Sequence, residues 1–162
     1  MNFIKKHIIA LFLAITLTIV THAESNFKVY LAKDILWQDA TGHSPKGTKI
    51  AILEGDPSKL GPYIVRVKFP ANTRVEPHFH PSMECATVLS GVLFVGLGDK
   101  FDEKKAVALP AGSFSYMKPY THHYGFTREE TIIQLQGVGP WKLISVISVK
   151  PSFLKNQLDK AY

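Results

Sequence analysis

The sequence predicts an all-β protein whose strands form a sandwich or a barrel. Apolar and polar residues alternate in short runs. Within residues 63–69, Val65 and Val67 share one face while Arg66 and Lys68 share the other. Clusters of Gly, Pro, Asn and Asp separate these runs at intervals of about 8–12 residues, which is typical of strands joined by turns.

Most of the chain is assigned to strands in this way. The expected strands are residues 27–37, 49–54, 63–69, 74–80, 84–90, 92–98, 106–109, 113–117, 122–126, 131–136 and 141–149. Ser90-Gly91 lies between two apolar runs and predicts a tight antiparallel hairpin. Residues 152–160 predict a short C-terminal helix with Ser152 as its N-cap.

The first residues have the order of a cleavable signal peptide. Lys5 and Lys6 precede the apolar residues 8–20, and the small residue Ala23 stands at the expected cleavage site. The alternative is a membrane anchor, but this apolar run is shorter than the ~20 residues needed to span a bilayer. We therefore expect a signal peptide at residues 1–23, one domain at residues 24–162, and a periplasmic or secreted protein without a stable membrane anchor.

Composition argues against a nucleic-acid-binding protein and against a domain stabilised by internal disulfides. The net charge of +6 comes from basic residues that are scattered without aromatic interleaving, so no nucleic-acid surface is expected. Cys85 is the only cysteine, and the chain therefore cannot form an internal disulfide. Its side chain should point away from that of Glu84 and be a buried, unreactive thiol.

The stretch His78-Phe79-His80-Pro81-Ser82-Met83-Glu84 is the strongest functional motif. Two histidines at i and i+2 on a strand share a face and lie roughly 6.5 Å apart. After a turn, the carboxylate can be aimed at the same point, and such groups bind divalent transition metals. An H-x-H pair alone is more simply an exposed edge-strand face, but Glu84, Gly91 and the second pair His122-His123 favour a metal site.

These residues resemble the cupin superfamily. His78, His80, Glu84 and Gly91 match its first motif, although the usual preceding glycine is absent. Pro110-Ala111-Gly112 matches the P-x-G of the second motif, and the histidine then comes later than in its tight form. The similarity is to a small single-domain secreted subgroup and covers residues 53–147. The other shared segments are Gly55-Asp56-Pro57-Ser58, Gly98-Asp99-Lys100-Phe101 and Gly137-Val138-Gly139-Pro140-Trp141.

The resemblance implies a jelly-roll β-barrel with one divalent metal ion inside one end. The implied ligands are His78, His80, Glu84 and one histidine of the 122–123 pair, since adjacent strand residues face opposite ways and only one of the two should reach the metal. The spacing in the resembled subgroup implies that this ligand is His123. An octahedral ion would keep two cis positions open for water, oxygen or substrate. A closed tetrahedral zinc site is the structural alternative. Ligand types do not choose among Fe, Mn, Ni, Cu and Zn.

Three functions are compatible with such a site. The favoured hypothesis is an exported metalloenzyme acting on a small oxygenated molecule: an oxidoreductase such as a dioxygenase, or an isomerase or lyase. The alternatives are a non-catalytic barrel that binds or senses a small ligand or metal, and a metal-stabilised structural domain. No acid–base catalytic residue is identified. By analogy with other cupins, residues 27–37 could form a homodimer by strand exchange.

Several further side chains are candidates for the pocket or for hydrogen bonds to the ligands. They are Phe94, Tyr116, Tyr124, Gln134, Gln136 and Trp141, and the hydrogen bonds expected of them are to the ligand imidazoles. The aromatic residues are more simply explained as part of the core, and the glutamines could face outward as readily as inward. Glu76 has the strand parity of His78 and His80, so it is either a base or an exposed carboxylate.

Overall fold

The computed structural model describes residues 27–146, which form strands and two short 3₁₀ helices. The strands are β1 Gln38–Asp39, β2 Lys49–Glu54, β3 Gly61–Phe69, β4 Arg74–Phe79, β5 Glu84–Ser90, β6 Val92–Leu97, β7 Val107–Pro110, β8 Phe114–Met117, β9 His123–Thr127, β10 Thr131–Gly139 and β11 Ile144–Ser145. The 3₁₀ helices are Ala32–Asp34 and Glu103–Lys105. No helix in this part of the chain is long and apolar enough to cross a membrane.

The strands form two antiparallel sheets. The first has the order β1-β2-β3-β10-β5-β8, and the second has the order β11-β4-β9-β6-β7. The chain passes from one sheet to the other between β3 and β4 and again between β4 and β5. The all-β prediction is confirmed, and two facing sheets of this kind are consistent with the predicted jelly roll.

The core lies between the sheets, where the alternating residues meet. In β3 the side chains of Tyr63, Val65 and Val67 are buried, while Arg66 and Lys68 between them face outward and are partly exposed. The inward residues of β5, β6 and β10 complete this core. Burying such side chains contributes about 1.5–3 kcal/mol each, so the alternation that the sequence displays is also what stabilises the barrel.

The Ser90-Gly91 hairpin prediction is wrong. β5 belongs to the first sheet and β6 to the second, so Gly91 carries the chain from one sheet to the other. Gly91 has a φ of +73°, and a Cβ there would lie 2.5 Å from the carbonyl oxygen of Glu130. A hairpin and a crossing between sheets have the same residue pattern, because both need a left-handed glycine. They differ only in the strands with which the two flanking strands pair.

At the ends of the described chain, the strand prediction for residues 27–37 is wrong, and that for residues 141–149 is confirmed at Ile144–Ser145. Residues 27–37 form no strand: Phe27, Val29 and Leu31 are exposed, and Ile35 is the only buried residue of the segment, so no alternating buried face stabilises a strand there. Within residues 141–146 only Ile144–Ser145 pairs, with β4. The expected signal peptide at residues 1–23 and the helix at residues 152–160 lie outside the described residues.

Candidate metal centre

The second sheet brings two of the histidines together directly. His78 near the end of β4 pairs with His123 at the start of β9. Their imidazole rings lie 4.2 Å apart between centroids. Both side chains are about 95% buried, since His78 and His123 are each 5% exposed. Residues separated by 45 positions in the chain therefore share one point inside the barrel.

A β-bulge in β4 aims His78 inward. Val75 pairs with Gly125 and His78 with His123, so β4 has one residue more than β9 over this stretch. The extra residue falls at Glu76-Pro77, and bulges are positions where a strand tolerates proline. As a result Val75 and His78 both line the interior, whereas Glu76 is exposed and pairs with Arg74. The expectation that Glu76 shares the face of His78 is wrong for this reason.

His80 completes a buried group of three histidines. Its ring lies 5.0 Å from that of His78 and 5.3 Å from that of His123. One ring nitrogen from each residue can be chosen so that all three lie within 4.8 Å of one another. A divalent ion with three nitrogen ligands at about 2.0–2.1 Å requires spacings of this order.

Backbone carbonyls fix which nitrogen each histidine presents. Nδ1 of His78 lies 2.7 Å from the oxygen of Glu76, and Nδ1 of His123 lies 2.9 Å from that of Thr121. Nδ1 of His80 lies 2.8 Å from the oxygen of Lys142. A carbonyl only accepts, so each Nδ1 carries a proton and each Nε2 keeps a free lone pair. This tautomer is the one that metal-binding histidines adopt when a second group orients the ring.

Glu84 approaches the cluster from the first sheet. Its Oε2 lies 3.2 Å from Nε2 of His80 and accepts a 3.0 Å hydrogen bond from Nε1 of Trp141. The carboxylate contacts His80. It is not part of the group of ring nitrogens of His78, His80 and His123 that lie within 4.8 Å of one another. The use of Glu84 as a fourth ligand therefore stays a prediction.

The contact between His80 and Glu84 indicates a place for a cation between the two side chains. Nε2 of His80 has a lone pair, and a carboxylate oxygen has only lone pairs, so the two atoms repel unless a proton or a metal ion lies between them. Burial lowers the pKa of His78 to about 3 and that of His80 to about 4. Burial also lowers the pKa of His123 and raises that of Glu84. At neutral pH the histidines are thus uncharged donors ready for a metal ion.

A cavity of about 100 Å³ extends from this centre into the barrel. The polar end contains the three histidines and Glu84, with Met117, Trp141 and Leu143 beside them. The remaining wall is largely aliphatic and aromatic, and includes Ile50, Val67, Phe69, Val75, Leu93 and Val95. Apolar walls with a few convergent polar groups are typical of small-molecule sites.

Only some of the other candidate residues line the cavity. Trp141 and Tyr124 line the cavity, although the hydroxyl of Tyr124 is turned to the carbonyl of Asp102. Tyr116 is 54% exposed, and Phe94 stacks on Phe126 outside the cavity lining. For the glutamines the outward alternative holds: they do not line the cavity, and Gln134 accepts a hydrogen bond from Arg66.

His122 and Cys85 face away from the cluster. The His122 ring stacks on Phe79 at 5.0 Å, and its Nδ1 contacts the carboxylate of Asp99. His123, and not His122, belongs to the three-histidine group. Cys85 is buried and free, and it lies outside the cavity lining while Glu84 and Ala86 line it. The remaining histidine of the described residues, His43, is exposed in a loop.

No protein-family model and no curated protein matches the chain. Solved structures do match it. The polyketide cyclase RemF from Streptomyces resistomycificus aligns with a TM-score of 0.61 at 16% identity, over 81% of this chain and 93% of that one. An RmlC-like cupin from Shewanella frigidimarina aligns with a TM-score of 0.53 at 16% identity, over 67% and 87%.

The chain has the cupin fold. A putative acetylacetone dioxygenase from Methylibium petroleiphilum also matches, with a TM-score of 0.57 at 15% identity, over 80% of this chain and 86% of that one. At such identities the likeness concerns the fold alone. What this chain itself contributes is a buried group of three histidines that could hold a metal ion.

Proposed function

We propose that this cupin is an exported metalloenzyme that acts on a small oxygenated molecule. One divalent transition metal would be held by His78, His80, Glu84 and His123. The observation that carries the proposal is the fixed tautomer of the three histidines, which leaves each Nε2 lone pair free in a cluster where one ring nitrogen of each residue lies within 4.8 Å of the others. Three neutral donors and one carboxylate leave a divalent ion with a net charge of +1, which favours oxygen-bearing ligands.

When bound, the metal would supply Lewis acidity and open positions for oxygen atoms of a substrate. The chain supplies the rest. Backbone carbonyls orient the imidazoles, and Trp141 holds the Glu84 carboxylate beside His80. The apolar wall excludes water and so strengthens the charge interactions at the polar end.

The substrate class follows from the cavity and is supported by the structural neighbours. A molecule with two adjacent oxygen donors and an apolar body matches a polar end followed by an aliphatic wall. Among the neighbours, one protein is described as a polyketide cyclase and another as a putative acetylacetone dioxygenase. We therefore infer a diketone or phenolic substrate, with dioxygenation as the first reaction to test.

Export is part of the proposal and rests on residues 1–23. Their order of charged, apolar and small residues is that of a signal peptide. A periplasmic or secreted enzyme would obtain its metal in that compartment.

The test is reconstitution of the metal-free protein with Fe(II), Mn(II), Ni(II), Cu(II) or Zn(II), one at a time. Bound metal is measured by elemental analysis, and oxygen consumption is measured with acetylacetone, benzoylacetone and catechol. We expect one ion per chain and turnover with at least one metal. His80→Ala should abolish both, whereas His122→Ala, a matched removal of an imidazole outside the cluster, should retain both. Turnover that survives His80→Ala would contradict the proposal, and binding of metal and diketone without turnover would indicate a binding barrel instead.

A further inference from the structure

Thr48 brings a buried hydroxyl without a partner to the cavity. The residue is 3% exposed, and its Oγ1 makes no hydrogen bond within the described part of the chain. Two other buried hydroxyls there, those of Tyr63 and Ser82, also lack partners, but neither residue lines the cavity. Thr48 does line it. Buried polar groups normally have a partner, so this one calls for a group that the cavity can admit.

The backbone N–H and C=O of Thr48 both have hydrogen-bond partners, so only the side-chain hydroxyl lacks one. Its N–H donates to the carbonyl of Pro45 at 3.2 Å, and its carbonyl accepts from the N–H of Ala40 at 2.9 Å. Ala40, Ser44 and Pro45 line the same end of the cavity. The loop is therefore folded onto Thr48 by its own hydrogen bonds, and the position of the hydroxyl does not depend on the metal centre.

Thr48 lies far from Glu84 along the barrel. Gly137 pairs with both Glu84 and Tyr63, which sets the level of the metal centre on β3. Lys49, next to Thr48, pairs with Lys68, five residues further along β3. At about 3.3 Å per residue the two levels are separated by roughly 15 Å along the strand direction.

Ser44 and Ser115 also line the cavity, but of these three hydroxyls only that of Thr48 is buried without a hydrogen-bond partner in the described part of the chain. Ile50, Val67, Phe69, Val75 and Leu93 line the intervening part of the cavity, and all have apolar side chains. The cavity thus has a metal-binding end, a largely apolar middle and, at the far end, one buried hydroxyl without a partner, that of Thr48.

We infer that Thr48 is a specificity-determining residue that hydrogen-bonds the distal polar group of an elongated ligand. The ligand would have a chelating oxygen head at the metal centre, an apolar body, and a hydroxyl or carbonyl at its other end. The identity of the head group rests on the proposed function. The role of Thr48 rests on its own burial, missing partner and place in the cavity.

The experiment compares matched ligands on the zinc-loaded protein, which binds without redox turnover. The probes are acetylacetone, 1-phenyl- and 1-(2-naphthyl)butane-1,3-dione, and the same two aryl diketones with a hydroxyl at the far ring position. Affinities are measured by titration calorimetry for the wild type, Thr48→Val, which removes the hydroxyl at nearly constant volume, and Thr48→Ser, which keeps it.

The wild type should prefer a hydroxylated diketone over its plain counterpart by about tenfold at one of the two lengths, the factor that one buried neutral hydrogen bond supplies. Thr48→Val should abolish this preference, Thr48→Ser should retain it, and acetylacetone should bind all three proteins equally. No preference in the wild type, or a preference that survives Thr48→Val, overturns the inference while acetylacetone binding leaves the proposed function intact. Acetylacetone that fails to bind the wild type counts against the proposed function.

A second measurement is independent of any ligand. Thr48→Val should leave the Tm of the metal-free protein unchanged or raise it, because the hydroxyl contributes no hydrogen bond to the fold. A lower Tm for Thr48→Val with a normal Tm for Thr48→Ser would show a structural hydrogen bond and overturn the inference.

Discussion

Trp141 donates a 3.0 Å hydrogen bond from Nε1 to Oε2 of Glu84, and its ring stacks on His80 at 5.6 Å between centroids. The backbone N–H of Trp141 in turn donates to the carbonyl of Pro57 at 2.7 Å. One indole therefore orients the carboxylate and packs against a neighbouring histidine of the cluster. The loop that contains Pro57 fixes the indole itself.

Replacing Trp141 with phenylalanine should weaken metal binding about tenfold. The substitution keeps an aromatic ring against His80 but removes the donor to Glu84, and loss of a hydrogen bond that orients a ligand typically costs 10–100-fold in affinity. Competition with a chromophoric chelator measures the change. Trp37→Phe is the matched control, because Trp37 lies against Lys68 away from the cavity lining. Equal affinities for wild type and Trp141→Phe would show that the indole does not position the carboxylate.

Metal-free protein should lose stability as the pH falls from about 6.5 toward 4. The folded-state pKa values of His78 and His80 are about 3 and 4, against about 6.5 when unfolded. Between these values the unfolded chain binds more protons, so the stabilising contribution is complete above pH 6.5 and is lost on acidification. At pH 5 the free energy of unfolding is therefore lower by about 2 kcal/mol for each of these two histidines. The raised pKa of Glu84 acts in the opposite sense and offsets part of the loss.

Urea unfolding in the presence of EDTA, from pH 7.5 to 5, measures this dependence. His78→Gln and His80→Gln should each flatten it, since glutamine does not titrate. A free energy of unfolding that stays constant or increases on acidification would contradict the buried, neutral state of these histidines.

Metal should stabilise the wild type and should not stabilise His80→Ala. An ion that binds only the folded chain adds about 2.7 kcal/mol when its free concentration is 100 times its Kd. Differential scanning calorimetry with and without EDTA gives the shift in Tm. His122→Ala should retain the shift, because that ring packs on Phe79. A shift of wild-type size in His80→Ala would place the bound ion elsewhere in the protein.

Gly91→Ala should destabilise the fold more than Gly112→Ala. Both glycines have positive φ, +73° and +88°, so each substitution introduces backbone strain of about 1–2 kcal/mol. A Cβ at residue 112 would meet nothing within 4 Å, whereas one at residue 91 would lie 2.5 Å from a backbone oxygen of Glu130. Equal losses of stability by urea unfolding would show that the crossing between the sheets is not constrained at this point.

Much of the fold could be predicted because alternation reports directly on burial. The run 84–90 was assigned to a strand and is β5, and Lys49–Glu54 is β2. Pairing partners could not be predicted at Ser90-Gly91, since a left-handed glycine serves a hairpin and a crossing equally well. The bulge in β4 was missed, although Pro77 inside a strand is a sign of such an irregularity.

The histidine cluster could be anticipated for a similar reason. His78 and His80 are near in sequence, and the i, i+2 spacing alone placed both on one face. The carbonyls of Lys142 and Thr121 could not be anticipated, because backbone groups have no sequence signature. The same holds for Thr48, whose importance comes from a missing partner and from strands that pair over long separations. The sequence allows Trp141 a place in the core, in the pocket wall or beside the ligand imidazoles, and its hydrogen bond to Glu84 becomes evident only from the three-dimensional contacts.

Anomalous diffraction from crystals of the zinc-loaded protein tests the metal centre most directly. We expect one strong peak per chain, about 2.0–2.2 Å from Nε2 of His78, His80 and His123 and from a carboxylate oxygen of Glu84. The absence of a peak at these atoms, or a peak bound by His122 or by surface residues instead, would contradict a metal site inside the barrel.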